Sequence, residues 1–320
     1  MSILKTTLKY NFRKSIFNNG QYRYLSYTRA CFGEQKNVNK IQDFPWLLST
    51  DQPRIAKYPY EQATREWKFL SAFPLGIQHA LCKWLGTRTL QLNTGMDNFP
   101  DQFLVGASLA SRKAISMLSD QLKDPNNEDK KQELQRILGP DLVDRFLKAV
   151  PSDVDISIDI PQIYDVNLGD IWVTLGNPAA FSSNGQQDYE VIRWMTIRVG
   201  LHKTINMHIE SFQEYRERTL KSIMEGAQVG VDVLIDADII YKANKKNDEN
   251  DIILYDEGRR TLRMRFATPY FSPADKMVSG YDAKTGEPIN DWNWCLVDID
   301  QLLEKESMDI TDTNSTIQDE

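Results

Sequence analysis

Between Val229 and Tyr241 every second residue is apolar: Val229, Val231, Val233, Ile235, Ala237, Ile239 and Tyr241. A period of two puts all of them on one face of an extended strand, which no helix can do. Asp232, Asp236 and Asp238 fall on the opposite face. One apolar face and one polar face describe a strand covered on one side, the usual state of an antiparallel sheet. The same period recurs in Val154, Ile156, Ile158 and Ile160, in Ile171, Val173 and Leu175, and in Leu262, Met264 and Phe266. Val191, Met195, Ile197 and Val199 share one face of a further run, and Trp292 to Ile299 make a last strand. Residues 244–250 and 281–288, the latter with Asp282 and Gly286, read as hairpin connections.

Before residue 153 the period is that of a helix. Phe103, Ala107, Ala110, Ala114 and Leu118 recur every three or four residues, a core-facing stripe over 99–122. Asp97 or Asn98 can cap it, Pro100 fits its first turn, and the run Asp124 to Asn127 ends it. A second helix carries Leu134, Ile137 and Leu138, and after Gly139-Pro140 the pattern resumes with Leu142, Val143, Phe146 and Leu147. Residues 208–224 interrupt the strands with Ile209, Phe212, Leu220 and Ile223 on one face, and the pairs Glu214/Arg218 and Glu217/Lys221 support a helix there. Helices first and strands afterwards give an α+β fold, with helices packed on one face of a twisted antiparallel sheet over residues 99–304.

The segment 61–98 is apolar and aromatic in a different way. Trp67, Phe69, Leu70, Phe73, Leu75, Ile77, Leu81, Trp84 and Leu85 crowd between Arg65, Lys68, Lys83 and Arg88. Pro74 and Gly76 predict a break, with a second helix at about 76–86. Such a helix either covers one end of the core or lies on a membrane surface or a partner. Trp67, Phe69, Phe73 and Trp84 are its candidate contacts.

Charge is unevenly spread along the 320 residues, which carry 38 Lys+Arg, 45 Asp+Glu and a formal charge of -7. Lys5, Lys9, Arg13, Lys14, Arg23 and Arg29 all precede the first acid, Glu34. Leu4, Leu8, Phe12 and Ile16 are spaced four apart among hydroxylated residues, the composition of a mitochondrial transit peptide. Residues 1–25 are read as that peptide, 26–60 as an extended lead-in and 305–320 as an acidic, solvated tail. Loss of residues 1–25, which hold five bases and no acids, takes the formal charge from -7 to -12. That balance argues against a DNA-binding protein.

Chemistry-bearing patterns are sparse. There is no Gly-rich phosphate loop, nucleophile elbow or His-Glu-x-x-His metal helix. His79, His202 and His208 have no ligand-like companions, and no metal or cofactor is expected. Cys31, Cys82 and Cys295 share no close spacing, and no activated thiolate is indicated at Cys82 or Cys295. Asp232, Asp236 and Asp238 lack the glycine and closing glutamate of a calcium loop, and alternation places them on the outer strand face. Asp298 and Asp300 are read as an exposed strand edge. Arg259, Arg260, Arg263 and Arg265 form either a patch for RNA or an acidic partner, or cross-strand pairs with those acids. Tyr164, Asp165 and His202 are the residues an enzymatic reading would nominate, with nothing that selects them.

The helix Phe103-Leu104-Val105-Gly106-Ala107-Ser108-Leu109-Ala110 has the pattern Phe-x-x-Gly-Ala-x-x-Ala. It resembles the first core helix of the family related to the C-terminal domain of the inner-membrane translocase subunit 44, which also includes mitochondrial large-subunit ribosomal protein 45. The order of the next helix, Gly169-Asp170-Ile171 and the late strands is similar to that family's fold. Asp291-Trp292, then Val297-Asp298 and Leu302-Leu303-Glu304, are similar to the end of the branch that interacts with the matrix AAA peptidase. The resemblance covers residues 99–304, with 201–225 and 267–290 as expansions. It implies a cone-shaped sheet related to nuclear transport factor 2, in which Gly106 and Ala107 let the helix approach its neighbours. It further implies a non-enzymatic matrix protein, peripheral to the inner membrane. Its partners would be matrix AAA protease subunits and imported inner-membrane clients such as the small regulatory subunit of the calcium uniporter. The family's other branch implies a mitochondrial ribosome receptor or large-subunit ribosomal protein.

Overall fold

A computed structural model describes residues 72–182, 187–204, 211–246 and 248–304. The transit peptide, the lead-in, the acidic tail, Trp67, Phe69, His208 and Ile209 lie outside the described residues. The helices are α1 (Leu75–Thr94), α2 (Phe103–Lys123), α3 (Glu128–Gln135), α4 (Pro140–Ala149) and α5 (Phe212–Met224). The strands are β1 (Val154–Leu175), β2 (Tyr189–Trp194), β3 (Ile197–His202), β4 (Ala227–Lys245), β5 (Asp248–Ala267), β6 (Gly280–Tyr281), β7 (Pro288–Ile289) and β8 (Cys295–Ile299).

Six strands form one strongly curled sheet in the order β2-β3-β1-β4-β5-β8; the α+β class is the one the residue pattern implies, and the cone-like curl the one the resemblance implies. β6 and β7 make a separate small hairpin over the expected 281–288 connection. The long antiparallel strands β1, β4 and β5 are the spine, and β4 shows the alternation in full. Val229, Val231, Val233, Ile235, Ala237, Ile239 and Tyr241 are all buried on the face that meets α2. Each such side chain contributes roughly 1.5–3 kcal/mol relative to exposure, so strand register is held tightly.

Four elements differ from the sequence reading. β1 is one strand of 22 residues, not two, and bends at register shifts between Asp159 and Gln162, Ile163 and Asp165, and Leu168 and Ile171. Gly169-Asp170 therefore sits inside the strand at a bulge; a Cβ on Gly169 would lie 2.9 Å from the Asp232 carbonyl oxygen. The run around 191–199 is a hairpin, with Met195 at φ 53 in the turn between β2 and β3. Its second strand runs parallel to β1 at Val173↔Ile197 to Leu175↔Val199, so the sheet is mixed at that end. The last strand is only Cys295–Ile299.

α2 begins at Phe103, three residues after Pro100. Phe99 is extended (φ -134, ψ 129), and neither Asp97 nor Asn98 caps the helix through its side chain. Ala107, Ala114, Leu118 and Leu122 are buried, as their spacing requires. Ser119, also buried, accepts the Ile158 N–H at 3.1 Å and so ties the helix to β1. In α5, Glu214 closes a capping box with Ser211 instead of pairing with Arg218, which donates to the His202 carbonyl at 2.8 Å.

Candidate functional site

α1 is the helix expected within 61–98, but it runs from Leu75 to Thr94, beyond the expected end at 86, and stops at Gly95 (φ 100). Pro74 precedes its first turn, and Gly76 does not interrupt it. Its buried residues are Gln78, Cys82, Gly86 and Leu90, one stripe at a spacing of four. The stripe is narrow and mostly small or polar. Gly86 makes the close approach that Gly106 was expected to make: a Cβ there would lie 2.5 Å from Ile171 Cγ2. A Cβ on Gly106 meets nothing within 4 Å, so Gly106 is not a point of close helix approach.

Polar pegs fix the stripe on the sheet. Trp194 Nε1 donates to Gln78 Oε1 at 3.0 Å, and Gln78 Nε2 donates to the Phe73 carbonyl at 2.7 Å. Lys83 Nζ donates to the Leu168 carbonyl at 2.9 Å. His79 Nε2 lies 2.5 Å from Asp170 Oδ1. Burial pushes the Cys82 thiol up to about 11, which makes it an inert packing residue.

Most of the large apolar side chains of this segment are exposed, with Leu90 the buried exception. Trp84 is 61% exposed and Leu75 58%, and Phe73, Ile77, Leu81, Leu85 and Leu92 are exposed as well. Val105 and Leu109 of α2 are also exposed. A surface helix normally buries its large apolar side chains; α1 leaves most of its own exposed. A partly exposed Leu, Ile or Phe forgoes part of the roughly 1.5–3 kcal/mol that full burial would contribute, so a run of them makes an apolar patch rather than an ordinary polar helix face. The helix contains Lys83 and Arg88 and no acid. Among the described residues no helix is long and apolar enough to cross a membrane.

Two clefts flank α1. One, of about 370 Å³, lies between Thr94, Phe99, Phe103, Gly106, Phe266 and Trp294. Phe103 anchors its wall, with ring centroids 5.4 Å from Phe99, 6.1 Å from Phe266 and 4.8 Å from Trp294. The other, of about 210 Å³, is lined by Leu85, Val173, Trp194, Val199, Tyr215 and Ile223, among others. None of the nominated catalytic residues lines either cleft. Tyr164 OH donates to Asp238 Oδ2 at 2.6 Å on the outer sheet face, Asp165 accepts from the Val166 N–H and Asn167 Nδ2, and His202 Nε2 meets Glu225 Oε1 at 2.6 Å. Among the described residues no group of three or more His, Cys, Asp or Glu could hold a metal ion.

The four arginines of β5 are engaged with carboxylates: Arg259, Arg263 and Arg265 reach acids outside the strand, the cross-strand arrangement weighed against an RNA patch, whereas Arg260 pairs within β5. Arg259 grips Asp236 through Nε (3.1 Å to both oxygens) and Nη2 (2.5 Å), with its guanidinium 4.1 Å from the Tyr164 ring centroid. That bond holds the Asp236 carboxyl below the usual range. Arg260 pairs with Asp256 four residues away. Arg265 Nε bonds Asp232 Oδ1 at 2.6 Å, Arg265 Nη1 reaches Glu304 Oε1 at 3.0 Å, and Arg263 Nη1 lies 3.7 Å from Asp232 and 3.8 Å from Asp170.

Two acids depart from the expected exposure. Asp232 is 0% exposed under Arg265 and Trp172, whose Nε1 donates to it at 3.0 Å. Asp298 is buried as well; it accepts the N–H groups of Ile299, Leu303 and Glu304 and so folds the chain end back. Burial raises both Asp298 and Glu304, the latter to about 8 despite Arg265 nearby. A carboxyl raised above its unfolded value of 4.5 holds its proton more tightly when folded. Stability is therefore highest below about pH 4.5 for this group and is lost as pH rises towards about 8. Thermal unfolding between pH 5.5 and 8 should show a falling midpoint, and Glu304→Gln should remove most of that slope. An unchanged slope in the variant would refute the assignment. No protein-family model and no curated protein matches this chain.

Proposed function

We propose that the chain is a non-enzymatic docking protein of the translocase-44-like family, working in the mitochondrial matrix at the surface of the inner membrane. Within that family the reading is the branch that associates with the matrix AAA protease and helps sort imported inner-membrane proteins, such as the small regulatory subunit of the calcium uniporter. The observation that carries it is α1: a helix pinned by Gln78, Cys82, Gly86 and Leu90 leaves Leu75, Ile77, Leu81, Trp84 and Leu85 exposed, next to the exposed Phe73 that precedes it. Such a face suits a membrane surface or the apolar side of a partner. The curled sheet and the basic, acid-free N-terminal 33 residues support the same reading.

The test is affinity purification of the tagged full chain from isolated mitochondria in mild detergent, followed by mass spectrometry. Recovery of matrix AAA protease subunits is expected. Recovery of large-subunit ribosomal proteins in their place would overturn the adaptor reading in favour of the ribosome receptor. Recovery of neither would remove both.

A further inference from the structure

The larger cleft, of about 370 Å³, is lined by none of Leu81, Trp84 and Leu85. It lies at the end of α1, between Thr94, Gly106 and Ala110 of α2, and Phe266 of β5 with Trp294. Ligand clefts run from roughly 300 to 1,000 Å³, so this one has room for a single bulky group. Phe99, Phe103, Phe266 and Trp294 give it aromatic walls. A ring entering there can pack offset or edge-on against them, which is worth more than its buried area alone. Gly106 leaves the space open, since a Cβ there meets nothing within 4 Å. Trp294 is half-buried, and among the described residues its indole N–H has no hydrogen-bond acceptor. A carbonyl brought in with the ring can accept it.

The rim indicates what carries the ring. Met96 sits between the lining residues Thr94 and Asn98, and Val105 and Leu109 each precede a lining residue of α2; all three are exposed. A free small molecule that fits the cleft would leave them in water, whereas a polypeptide can cover them. A bilayer surface has no protruding side chain to place in a recess of this size.

Arg88 supplies the charge. It is exposed on a helix that carries no acid, and its Nη1 lies 3.2 Å from Met96 Sδ, which brings the guanidinium to the rim. Among the described residues no carboxylate lies within ion-pair distance of Arg88, Asp97 and Asp101 included. A guanidinium so placed favours a carboxylate on whatever covers the rim.

We infer that this cleft docks a segment of a partner protein that presents an aromatic side chain with a carboxylate close to it. The ring enters beside Phe103, Phe266 and Trp294, the carboxylate meets Arg88, and neighbouring aliphatic side chains cover Met96, Val105 and Leu109. The site is separate from the exposed face of α1, so the inference goes beyond the proposed docking at the inner membrane and stands or falls without it.

The experiment uses the purified full chain and a panel of short fluorescein-labelled peptides. Each peptide carries one tryptophan and one glutamate, set two, three or four residues apart in either order. Fluorescence anisotropy should find at least one that binds with a dissociation constant of roughly 10–100 µM. Replacing its tryptophan by alanine, or its glutamate by lysine, should weaken binding about tenfold or more. Gly106→Leu places a side chain in the cleft where it meets no protein atom, and leucine is the better helix former. This variant should keep its melting temperature and lose the peptide. Arg88→Glu should bind the lysine version of the peptide better than the glutamate version. Failure of every peptide to bind, unchanged binding by Gly106→Leu, or an Arg88→Glu variant that still prefers glutamate would overturn the inference.

Discussion

Asp232→Asn should lower the unfolding free energy by about 3–5 kcal/mol, the usual cost of removing one partner from a buried ion pair. The side chain is isosteric, so the effect isolates charge. Arg265 loses its contacts at 2.6 and 3.2 Å to a full carboxylate, Arg263 loses its neighbour at 3.7 Å, and both guanidiniums stay where they are. Glu304 cannot take over, since burial favours its neutral form. Against a typical total stability of roughly 5–15 kcal/mol the loss is severe. In a domain of this size it corresponds to a fall in melting temperature of roughly 6–20 °C. Asp236→Asn is the control. Its partner Arg259 is half exposed, water screens the pair, and the midpoint should move far less. Equal shifts in the two variants would show that the Asp232 cluster is not the buried electrostatic anchor of the sheet.

That cluster also shows where sequence reading stops. The alternation in β4 correctly separates its two faces, and it correctly assigns Asp232 to the face away from α2. It cannot tell what lies over that face. Arg265 and Trp172 come from strands 33 and 60 residues away in sequence, and only their register brings them onto Asp232. Asp298 is misjudged for the same reason, because the chain turns back over it at Leu302–Glu304. The cross-strand engagement of Arg259 and Arg265, by contrast, is legible, since acids and bases stand on the same face of adjacent strands, but the pairing of Arg260 with Asp256 inside β5 is not. Glycines mark close approach without saying where. Gly86 holds α1 against Ile171, whereas Gly106 opens onto a cleft. The parallel β1–β3 pair was out of reach because β1 hides three register shifts within one continuous strand. Trp84 and Phe73 were legible as candidate contacts, but their orientation was not. Composition gave an apolar segment with bases; only the Gln78–Leu90 stripe shows that the large side chains are the ones left outside.

That orientation leads to the second large effect. If the chain docks at the inner membrane as proposed, joint replacement of Leu81, Trp84 and Leu85 by serine should release it from the mitochondrial membrane fraction while leaving its fold intact. The three side chains are 39%, 61% and 40% exposed, so their contribution to folding is partial and their contribution to an external contact is substantial. If docking buries about 1 kcal/mol of apolar surface from each, affinity falls by about 3 kcal/mol, or roughly 100-fold. The readout is the share of the tagged chain that pellets with sonicated inner-membrane vesicles, alongside its melting temperature. Gly86→Val serves as the opposite case. It drives a side chain into Ile171, so it should lower the melting temperature through overpacking without touching the exposed face. A triple variant that still pellets like the native chain would remove α1 as the docking element. A triple variant that melts as low as Gly86→Val would mean that its side chains belong to the core and not to an interface.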